Sequence, residues 1–392
     1  MIDSLYIAWK YVCFNKIKTA TLIACITLIA FLPLALQLLL DESERQLMSR
    51  AVSTPLVIGV KGSALDLVMN TLYFMDEVPE LMTMADVDRI EDSALALPIP
   101  IYARFQTRGY PIVGTTIDYF DFRGLEMAQG RSLAIIGEAV VGATVAKKLE
   151  LKPGDFLVSS PENPFDLAGL YPLKMPVVGI LAKSHTSDDF AVFVDLKTTW
   201  IIEGLGHGHQ DLVKNPDSSL LLNRTEKNIT ANAKLRLYTE ISEINLDSFH
   251  FHGDRSQYRL TASIAVPIDQ KSGTLLRGRY VSQDTRTQIV QPAEVIEGLL
   301  QNIFQIKNVI DAIIVLVGIA TLLAIILVFA LSLRLRQREI DTIFKLGCGR
   351  MTIARLMAAE IFLIIVISSF LCVGFMTVVD HFKHDLVRLA FM

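Results

Sequence analysis

Three long apolar runs divide the chain into membrane-like and soluble parts. They occupy residues 19–40, 312–333 and 361–379, and each has about the twenty residues needed to cross roughly 30 Å of hydrocarbon. No run of comparable length lies between residues 41 and 307. The pattern predicts three transmembrane helices, with one large extramembrane region between the first and the second.

The segment before the first run predicts an amphipathic helix at a membrane surface. Apolar side chains recur at helical spacing at Ile2, Leu5, Trp9 and Val12, and three lysines supply most of the charge. A cleaved signal peptide is the alternative for the first run. The long amphipathic leader, the length of the run and the lack of a small-residue cleavage pattern before Asp41 favour a retained span.

The region 41–307 alternates short strand patterns with helical ones, which predicts an α+β domain. Its charged opening predicts a helical stalk that continues the first span, and Thr83 or Asp86 is the expected N-cap of an early helix. We expect a loop over the Gly- and His-rich segment 203–228. A second stalk is predicted after Pro292, with Val295, Leu299, Ile303 and Ile306 on one face.

Charge sets the expected orientation. The segment 334–360 carries six Lys or Arg residues against three acidic ones between two predicted spans, and short basic loops stay in the cytoplasm. The N-terminus is then cytoplasmic, and the large domain and the C-terminal tail are external. We divide the chain into a surface helix at 1–18, a span at 19–40, the α+β domain with its stalks at 41–307, a span at 308–333, a cytoplasmic segment at 334–356, a span at 357–379 and a short outer tail at 380–392.

Composition agrees with a few spans joined to a large soluble domain. Hydrophobic residues make up 52% of the 392 residues, charged residues 20%, and the mean hydropathy is +0.42. Because many basic residues lie beside the spans, the rest of the chain is acidic, and nucleic acid is not an expected partner. All four cysteines lie in or beside the apolar runs, so we expect no disulfide in the α+β domain.

The chain carries no motif for nucleotide binding or catalysis. A Lys61-Gly62-Ser63 turn lacks the spacing of a phosphate loop, and no nucleophile or paired-acid motif stands out. We therefore expect no enzyme activity, no cofactor and no resident metal. Two His-x-His pairs are the candidate metal ligands, because residues i and i+2 share one face of a strand; they are His207, His209, His250 and His252. Solvated histidines are the alternative, and the sequence does not show whether the pairs meet.

The order of these segments resembles the FtsX-like or MacB-like ABC permease family. The resemblance lies in RQREIDTIFKLGCGRMTIARLMAAE between two spans, in the leader NKIKTATLIACITLIA, and in EAVVGATVAKKLELKPGD and MPVVGIL within the α+β domain. It covers nearly the whole chain. It implies that the outer region has the fold of a MacB-type periplasmic core domain, and that the protein sits in a bacterial inner membrane with this domain in the periplasm.

The resemblance implies a mechanism in which two permeases, identical or paralogous, pair in the bilayer. A separate ABC ATPase of the LolD or MacB type binds ATP and Mg and docks on the cytoplasmic segments. The docking residues would be Arg336, Arg338, Glu339, Ile343, Lys345, Gly347 and Arg350. A simple positive-inside loop is the alternative; it would account for the charges but not for the helical apolar stripe or the glycine break.

Two functions follow from the resemblance. The first is a permease subunit that passes ATP-driven motion to its periplasmic domain and so extracts or exports a lipoprotein, a peptide or a hydrophobic compound, with a periplasmic lipoprotein or adaptor as a candidate partner. The second is a membrane-anchored regulator or scaffold of a periplasmic partner, without transport. The family has a fourth span, whereas residues 380–392 are too short and too charged to cross. The fourth span is then either lost, supplied by another chain, or absent because the sequence is incomplete.

Overall fold

The computed structural model describes residues 2–75, 77–160, 172–208, 221–224, 229–231, 239–281, 286–335, 337, 342, 345 and 349–391. The described chain forms two compact units. One consists of Met1–Gln46 with Leu300–Met392, and the other is Leu47–Leu299.

The Leu47–Leu299 unit is an α+β domain. Its strands are β1 (Leu56–Val60), β2 (Met82–Thr83), β3 (Ala96–Thr107), β4 (Tyr110–Thr115), β5 (Met127–Gly130), β6 (Ala139–Val141), β7 (Phe156–Val158), β8 (Lys174–Leu181), β9 (Val192–Asp195), β10 (Gly206–Gly208), β11 (Leu221–Arg224), β12 (Ile229–Ala231), β13 (Phe249–Phe251), β14 (Arg259–Leu260), β15 (Ala262–Pro267) and β16 (Thr287–Val290). Its helices are α3 (Ala64–Tyr73), α4 (Met84–Asp92), α5 (Asp118–Arg123), α6 (Ala143–Lys148), α7 (Leu196–Ile202) and α8 (Gln270–Arg279).

One large mixed sheet organises this domain, in the strand order β16-β1-β15-β3-β4-β9-β6-β8-β5, with β7 paired to β8. The pairs β4–β9 and β6–β8 are parallel, and the other pairs in this sheet are antiparallel. The long strand β3 joins the two halves, because its first six residues pair with β15 and the remainder with β4. Buried aliphatic and aromatic side chains from these strands and from α4, α6 and α7 form the core.

Local sequence features explain where several elements begin and turn. Thr83 is the N-cap of α4, and its backbone N–H donates to the Asp86 carboxylate at 3.0 Å, so the predicted cap is confirmed as a capping box. The MPVVGIL segment, with Lys174 before it, forms β8. Gly154 has a φ of +102° in the turn before β7, which a residue with a Cβ adopts only with strain.

The prediction of a loop over 203–228 is wrong at residues 206–208 and 221–224, which form β10 and β11. β10 pairs with β13, a strand that is distant from it along the chain. A Gly-His-Gly segment has no apolar alternation of its own, so the sequence gives no strand signal there. The partner strand β13 stabilises β10, because the rings of Phe249 and Phe251 lie over the two glycines.

The other unit contains most of each long apolar helix; α2 from Leu47 onward and α9 up to Leu299 belong to the α+β unit. α1 covers Ile2–Phe14, α2 covers Lys16–Val52, α9 covers Pro292–Leu335 and α10 covers Arg350–Phe391. α2 and α10 run in parallel. Thr27 donates to the Ser368 carbonyl at 3.4 Å, the Phe31 and Phe375 rings lie 5.7 Å apart, and Lys383 lies 3.7 Å from Glu42. Residues of α2, α9 and α10 line an apolar cavity of about 650 Å³.

Two helices among the described residues are long and apolar enough to cross a membrane, Thr19–Val52 and Met351–Lys383. They contain the first and third predicted spans. The second lies inside α9, where the described residues contribute a shorter apolar helix at Asp311–Ala320. The prediction of three spans therefore stays a prediction.

The predicted surface helix is α1. Ala8 and Val12 are buried in it, whereas Leu5 and Trp9 are exposed. The placement of this helix at a membrane surface stays a prediction.

The predicted second stalk is the first part of α9. Ile296 and Leu300 are buried, and Val295 and Leu299 are half-buried. The side chains of Ile303 and Ile306 lie outside the described part of the chain.

Candidate functional site

The predicted ATPase-docking residues fall mostly outside the described residues. Arg336, Arg338, Glu339, Ile343 and Gly347 are among those not described. Lys345 is helical and exposed, and Arg350 is the first residue of α10. The coupling role of this segment stays a prediction.

A buried ion pair fixes the end of α2 to the α+β domain. Arg50 lies in the last turn of α2, and Asp188 lies in a 3₁₀ turn, Ser187–Phe190. Their side chains are 5% and 1% exposed. Arg50 donates twice, from Nη1 to Oδ2 at 2.6 Å and from Nη2 to Oδ1 at 2.9 Å, which is the bidentate geometry of strong arginine–carboxylate pairs.

The polar atoms around this pair are bonded to one another. The Tyr119 hydroxyl donates to Asp188 Oδ1 at 2.6 Å and accepts from Arg50 Nη2 at 2.9 Å. The Thr186 hydroxyl donates to Asp188 Oδ2 at 2.9 Å, and Arg50 Nε donates to the Leu72 carbonyl. A buried charge pair is tolerated only when such extra bonds offset the loss of hydration, and that condition is met here.

A second arginine binds the segment that follows α2. Arg123, at the end of α5, donates from Nη2 to the Thr54 hydroxyl at 2.8 Å and from Nη1 to the Ser53 hydroxyl at 3.2 Å. Its guanidinium lies 5.8 Å from the centre of the Tyr119 ring, close enough for a cation–π contact. We call Arg50, Tyr119, Arg123 and Asp188 the helix-end cluster.

The protonation states in this cluster follow from its burial and its charges. Burial alone would raise the pKa of Asp188, but the attraction of Arg50 and the hydrogen bonds outweigh it, so the pKa lies below its ordinary value. Burial raises the pKa of the Tyr119 hydroxyl despite the nearby arginines. At neutral pH the cluster holds a carboxylate, a neutral phenol and cationic arginines, and this set has no group poised to accept or release a proton.

Further contacts hold α2 on the α3 side. The Tyr73 hydroxyl donates to the Leu47 carbonyl of α2 at 2.5 Å, and burial raises the pKa of Tyr73 to about 12. The Arg50 guanidinium lies 5.5 Å from the centre of the Phe74 ring. Phe193 of β9 lies within 6.0 Å of that ring. The last turns of α2 are therefore held by an ion pair, hydrogen bonds and aromatic contacts together.

The two long helices that lead into the domain join neighbouring strands. α2 ends at Val52 and β1 begins at Leu56, whereas β16 ends at Val290 and α9 begins at Pro292. β1 and β16 are antiparallel partners, with Ile58 opposite Ile289. α2 and α9 are therefore connected along the chain to adjacent strands at one end of the large sheet.

The structure also brings three of the four candidate metal-binding histidines together. His207 in β10 pairs with His250 in β13, and His252 follows on the same face. The ligand nitrogens of the three all lie within 4.8 Å of one another. His209 lies outside the described residues.

The Arg50–Asp188 pair was not predicted, because its members are 138 positions apart. One local signal pointed to Arg50. Leu47, Arg50, Ala51 and Thr54 are spaced as one helical face and are all buried, so the arginine lies on the apolar side of the predicted stalk rather than on its solvent side. Its carboxylate partner, in a Thr-Ser-Asp-Asp segment, cannot be found by local pattern.

Comparison with known proteins places these features in a family. The family model described as MacB-like periplasmic core domain matches residues 23–234, which is more than half of the chain and includes the whole helix-end cluster. No curated protein matches the chain.

Several solved structures are similar to the chain at low identity. The periplasmic region of MacB from Actinobacillus actinomycetemcomitans is 11% identical over 64% of this chain and 93% of that one, with a TM-score of 0.35. The extracellular domain of the noncanonic ABC-type transporter YknZ from Gram-positive bacteria is 10% identical over 60% of this chain and 98% of that one, with a TM-score of 0.33. A domain of a putative permease from Porphyromonas gingivalis is 10% identical over 60% of this chain and 86% of that one, with a TM-score of 0.26.

Structural similarity this weak does not indicate a mechanism, so the family assignment depends on the family model. That match covers the first apolar helix and most of the sheet that follows it. The chain belongs to the MacB/FtsX-like ABC transporter permease family.

Proposed function

We propose that this chain is a permease subunit that passes ATP-driven motion of a separate ABC ATPase to its periplasmic domain, and so extracts or exports a lipoprotein, a peptide or a hydrophobic compound. Membership of the family implies an ABC ATPase partner. The observation that carries the mechanical part of the proposal is the buried attachment of α2 to the α+β domain through Arg50 and Asp188.

The attachment suits a role in which motion of α2 is passed to the α+β domain. α2 is one helix from Lys16 to Val52, and its external end is held by a bidentate charge pair that excludes water. Removing one partner of such a pair costs about 3 to 5 kcal/mol, so the helix end cannot separate from the domain at small energetic cost. Motion imposed on α2 would then be passed to the sheet through β1 as well as through the 3₁₀ turn that carries Asp188.

The direction of the helices supports the predicted topology. α2 and α10 run in parallel, so two spans of this kind enter the same membrane face. In this proposal α9 is the helix that recrosses the bilayer between them. The residues between α9 and α10 would then lie on the side of the N-terminus, which the positive-inside rule makes the cytoplasmic side.

Two experiments test the proposal. The full chain, purified in detergent, should carry an ABC ATPase that mass spectrometry identifies, and the combined Glu339→Ala and Lys345→Ala change should weaken that association. Arg45→Ala, an exposed change on α2, is the control. Retention of the ATPase by the double variant would refute the docking assignment.

Transport and regulation predict different effects of periplasmic compounds and proteins on the rate of ATP hydrolysis. If the chain transports, the reconstituted complex should hydrolyse ATP faster when a co-purified lipoprotein, peptide or hydrophobic compound is added back. A rate that responds only to a periplasmic protein that is never moved would support the regulator and contradict the transport proposal.

A further inference from the structure

A short ribbon at one side of the α+β domain carries the three clustered histidines. β10 and β13 are antiparallel, with Gly206 opposite Phe251, His207 opposite His250 and Gly208 opposite Phe249. Side chains directly opposite each other project to the same face, and residues two apart along a strand share that face. His207, His250 and His252 therefore lie on one face, and we call β10 and β13 with His252 the histidine ribbon.

The other face of the ribbon is fixed by aromatic packing. A Cβ at Gly206 would lie 2.7 Å from the Phe251 ring, and one at Gly208 would lie 2.6 Å from the Phe249 ring. The glycines thus leave room for the two rings to lie across β10. The Phe251 ring in turn packs against Trp200 of α7, at 6.4 Å between ring centres.

Hydrogen bonds hold the ribbon in this position. The His252 N–H donates to the Leu205 carbonyl at 2.9 Å, and the Tyr258 hydroxyl donates to the His252 carbonyl at 3.2 Å. The register of the three histidines is therefore set by packing and backbone bonds, and it does not depend on the imidazoles themselves.

The three imidazoles form an almost equilateral triangle. Their ring centres are 4.8 Å apart in each of the three pairs. For three nitrogens held about 2.0 to 2.1 Å from one tetrahedral ion, ring centres would lie about 5 Å apart. The ligand nitrogens are within 4.8 Å of one another, so small side-chain rotations would bring them to a common ion.

One imidazole is already oriented for this role. His250 Nδ1 lies 3.2 Å from the Ser248 carbonyl, and a carbonyl accepts only from a protonated nitrogen. The Nε2 atom is then the one that carries a lone pair. A backbone carbonyl that fixes the tautomer in this way is the usual support of a metal-binding histidine.

We propose that His207, His250 and His252 bind one divalent transition-metal ion of the zinc class. Neutral imidazoles suit Zn²⁺, Cu²⁺ and Ni²⁺, whereas Mg²⁺ and Ca²⁺ prefer oxygen ligands. None of the three side chains is fully buried, so an ion can enter from solvent. Three protein ligands leave a further coordination position open, which fits an ion that exchanges with its surroundings.

The test is Zn²⁺ binding by the full chain in detergent, purified on an affinity tag without histidines. Calorimetry or competition with a chromophoric chelator should show one ion bound per chain, with Mg²⁺ at the same concentration giving no signal. His207→Ala and His252→Gln should each weaken Zn²⁺ binding more than about 100-fold, because each removes a direct ligand, whereas the loss of supporting groups costs 10- to 100-fold.

His185→Asn is the matched control. It removes an imidazole of the same domain outside the triangle, and asparagine tolerates the left-handed backbone of this position, where φ is +59°. Its Zn²⁺ affinity should equal that of the unaltered chain. The metal-free variants should unfold at the unaltered temperature, since the ribbon is held by its other face.

The proposal is overturned if the unaltered chain binds no Zn²⁺ below millimolar concentration, or if binding survives both His207→Ala and His252→Gln. Equal weakening by His185→Asn would also overturn it, because the effect would then not depend on the triangle. The test does not involve ATP or a partner, so its outcome is independent of the transport proposal.

Discussion

Two groups of ionisable side chains in the α+β domain differ in what surrounds them. In the helix-end cluster the Arg50 and Asp188 side chains are 5% and 1% exposed and make their hydrogen bonds to protein groups. In the histidine ribbon the imidazoles converge on a region open to solvent. The first arrangement stabilises a fixed attachment, and the second leaves three neighbouring imidazoles accessible from solvent. Burial and internal bonding thus separate a structural ionic cluster from a candidate binding site.

The largest expected effect is the loss of the Asp188 carboxylate. Asp188→Ala leaves Arg50 buried without its counter-charge, and should lower the free energy of unfolding of the α+β domain by about 3 to 5 kcal/mol. Denaturant titration of the full chain in detergent measures this. Arg45→Ala, at an exposed position of the same helix, should change it by less than about 1 kcal/mol. Similar losses for the two variants would contradict a special role for the pair.

Acid should mimic that substitution. The pKa of Asp188 is lower in the folded state than its unfolded value of about 3.9, so the pair contributes stability above pH 4 that disappears as the pH falls through the folded pKa. Unfolding titrations from about pH 5 to about pH 1, the range over which a carboxylate with a lowered pKa loses its contribution, should show a steeper decline for the unaltered chain than for Asp188→Asn. Parallel declines would show that Asp188 does not titrate as proposed.

Replacing both charges should be less harmful than replacing one. In the Arg50→Met, Asp188→Leu double variant no unpaired charge is buried, and comparable replacements elsewhere are neutral or stabilising. A double-mutant cycle should give a coupling free energy of about 2 to 3 kcal/mol. Additive losses would mean that the two side chains do not depend on each other.

Arg123 should matter less than Arg50. Arg123→Ala removes two charge-assisted hydrogen bonds to Ser53 and Thr54. It also relieves repulsion from Arg50. Burial and this repulsion lower the pKa of Arg123 in the unaltered chain. We expect the free energy of unfolding to fall by about 1 to 2 kcal/mol. A loss as large as that of Asp188→Ala would place Arg123 rather than the ion pair at the centre of the attachment.

The smallest effect on stability is expected at the histidine ribbon. His207→Ala in metal-free protein should change the free energy of unfolding by less than about 0.5 kcal/mol, as for other surface positions. Unfolding with and without saturating Zn²⁺ should then show stabilisation by the ion in the unaltered chain and none in the variant. A large loss in the metal-free variant would show that His207 packs as a structural residue.

Sequence patterns predicted the elements that depend on neighbouring residues. The capping box of α4 depends on side chains within a few positions of one another. The long apolar helices Thr19–Val52 and Met351–Lys383 follow from hydropathy.

Features that depend on distant partners could not be predicted. β10 is a strand because Phe249 and Phe251 cover its glycines, and the histidine triangle exists only in that pairing. The attachment of Arg50 depends on a carboxylate 138 positions away. In each case the sequence supplies the right chemical groups, and only the topology of the sheet shows which of them meet.

We propose that the α+β domain responds to ATP through α2 and its buried attachment. The most direct measurement is hydrogen exchange of the full chain with its ATPase in lipid nanodiscs, with ATP and vanadate or without nucleotide, followed at residues 184–190 around Asp188. We predict an ATP-dependent change in exchange there, absent after the combined Glu339→Ala and Lys345→Ala change. Identical exchange with and without nucleotide in the unaltered complex would contradict the account.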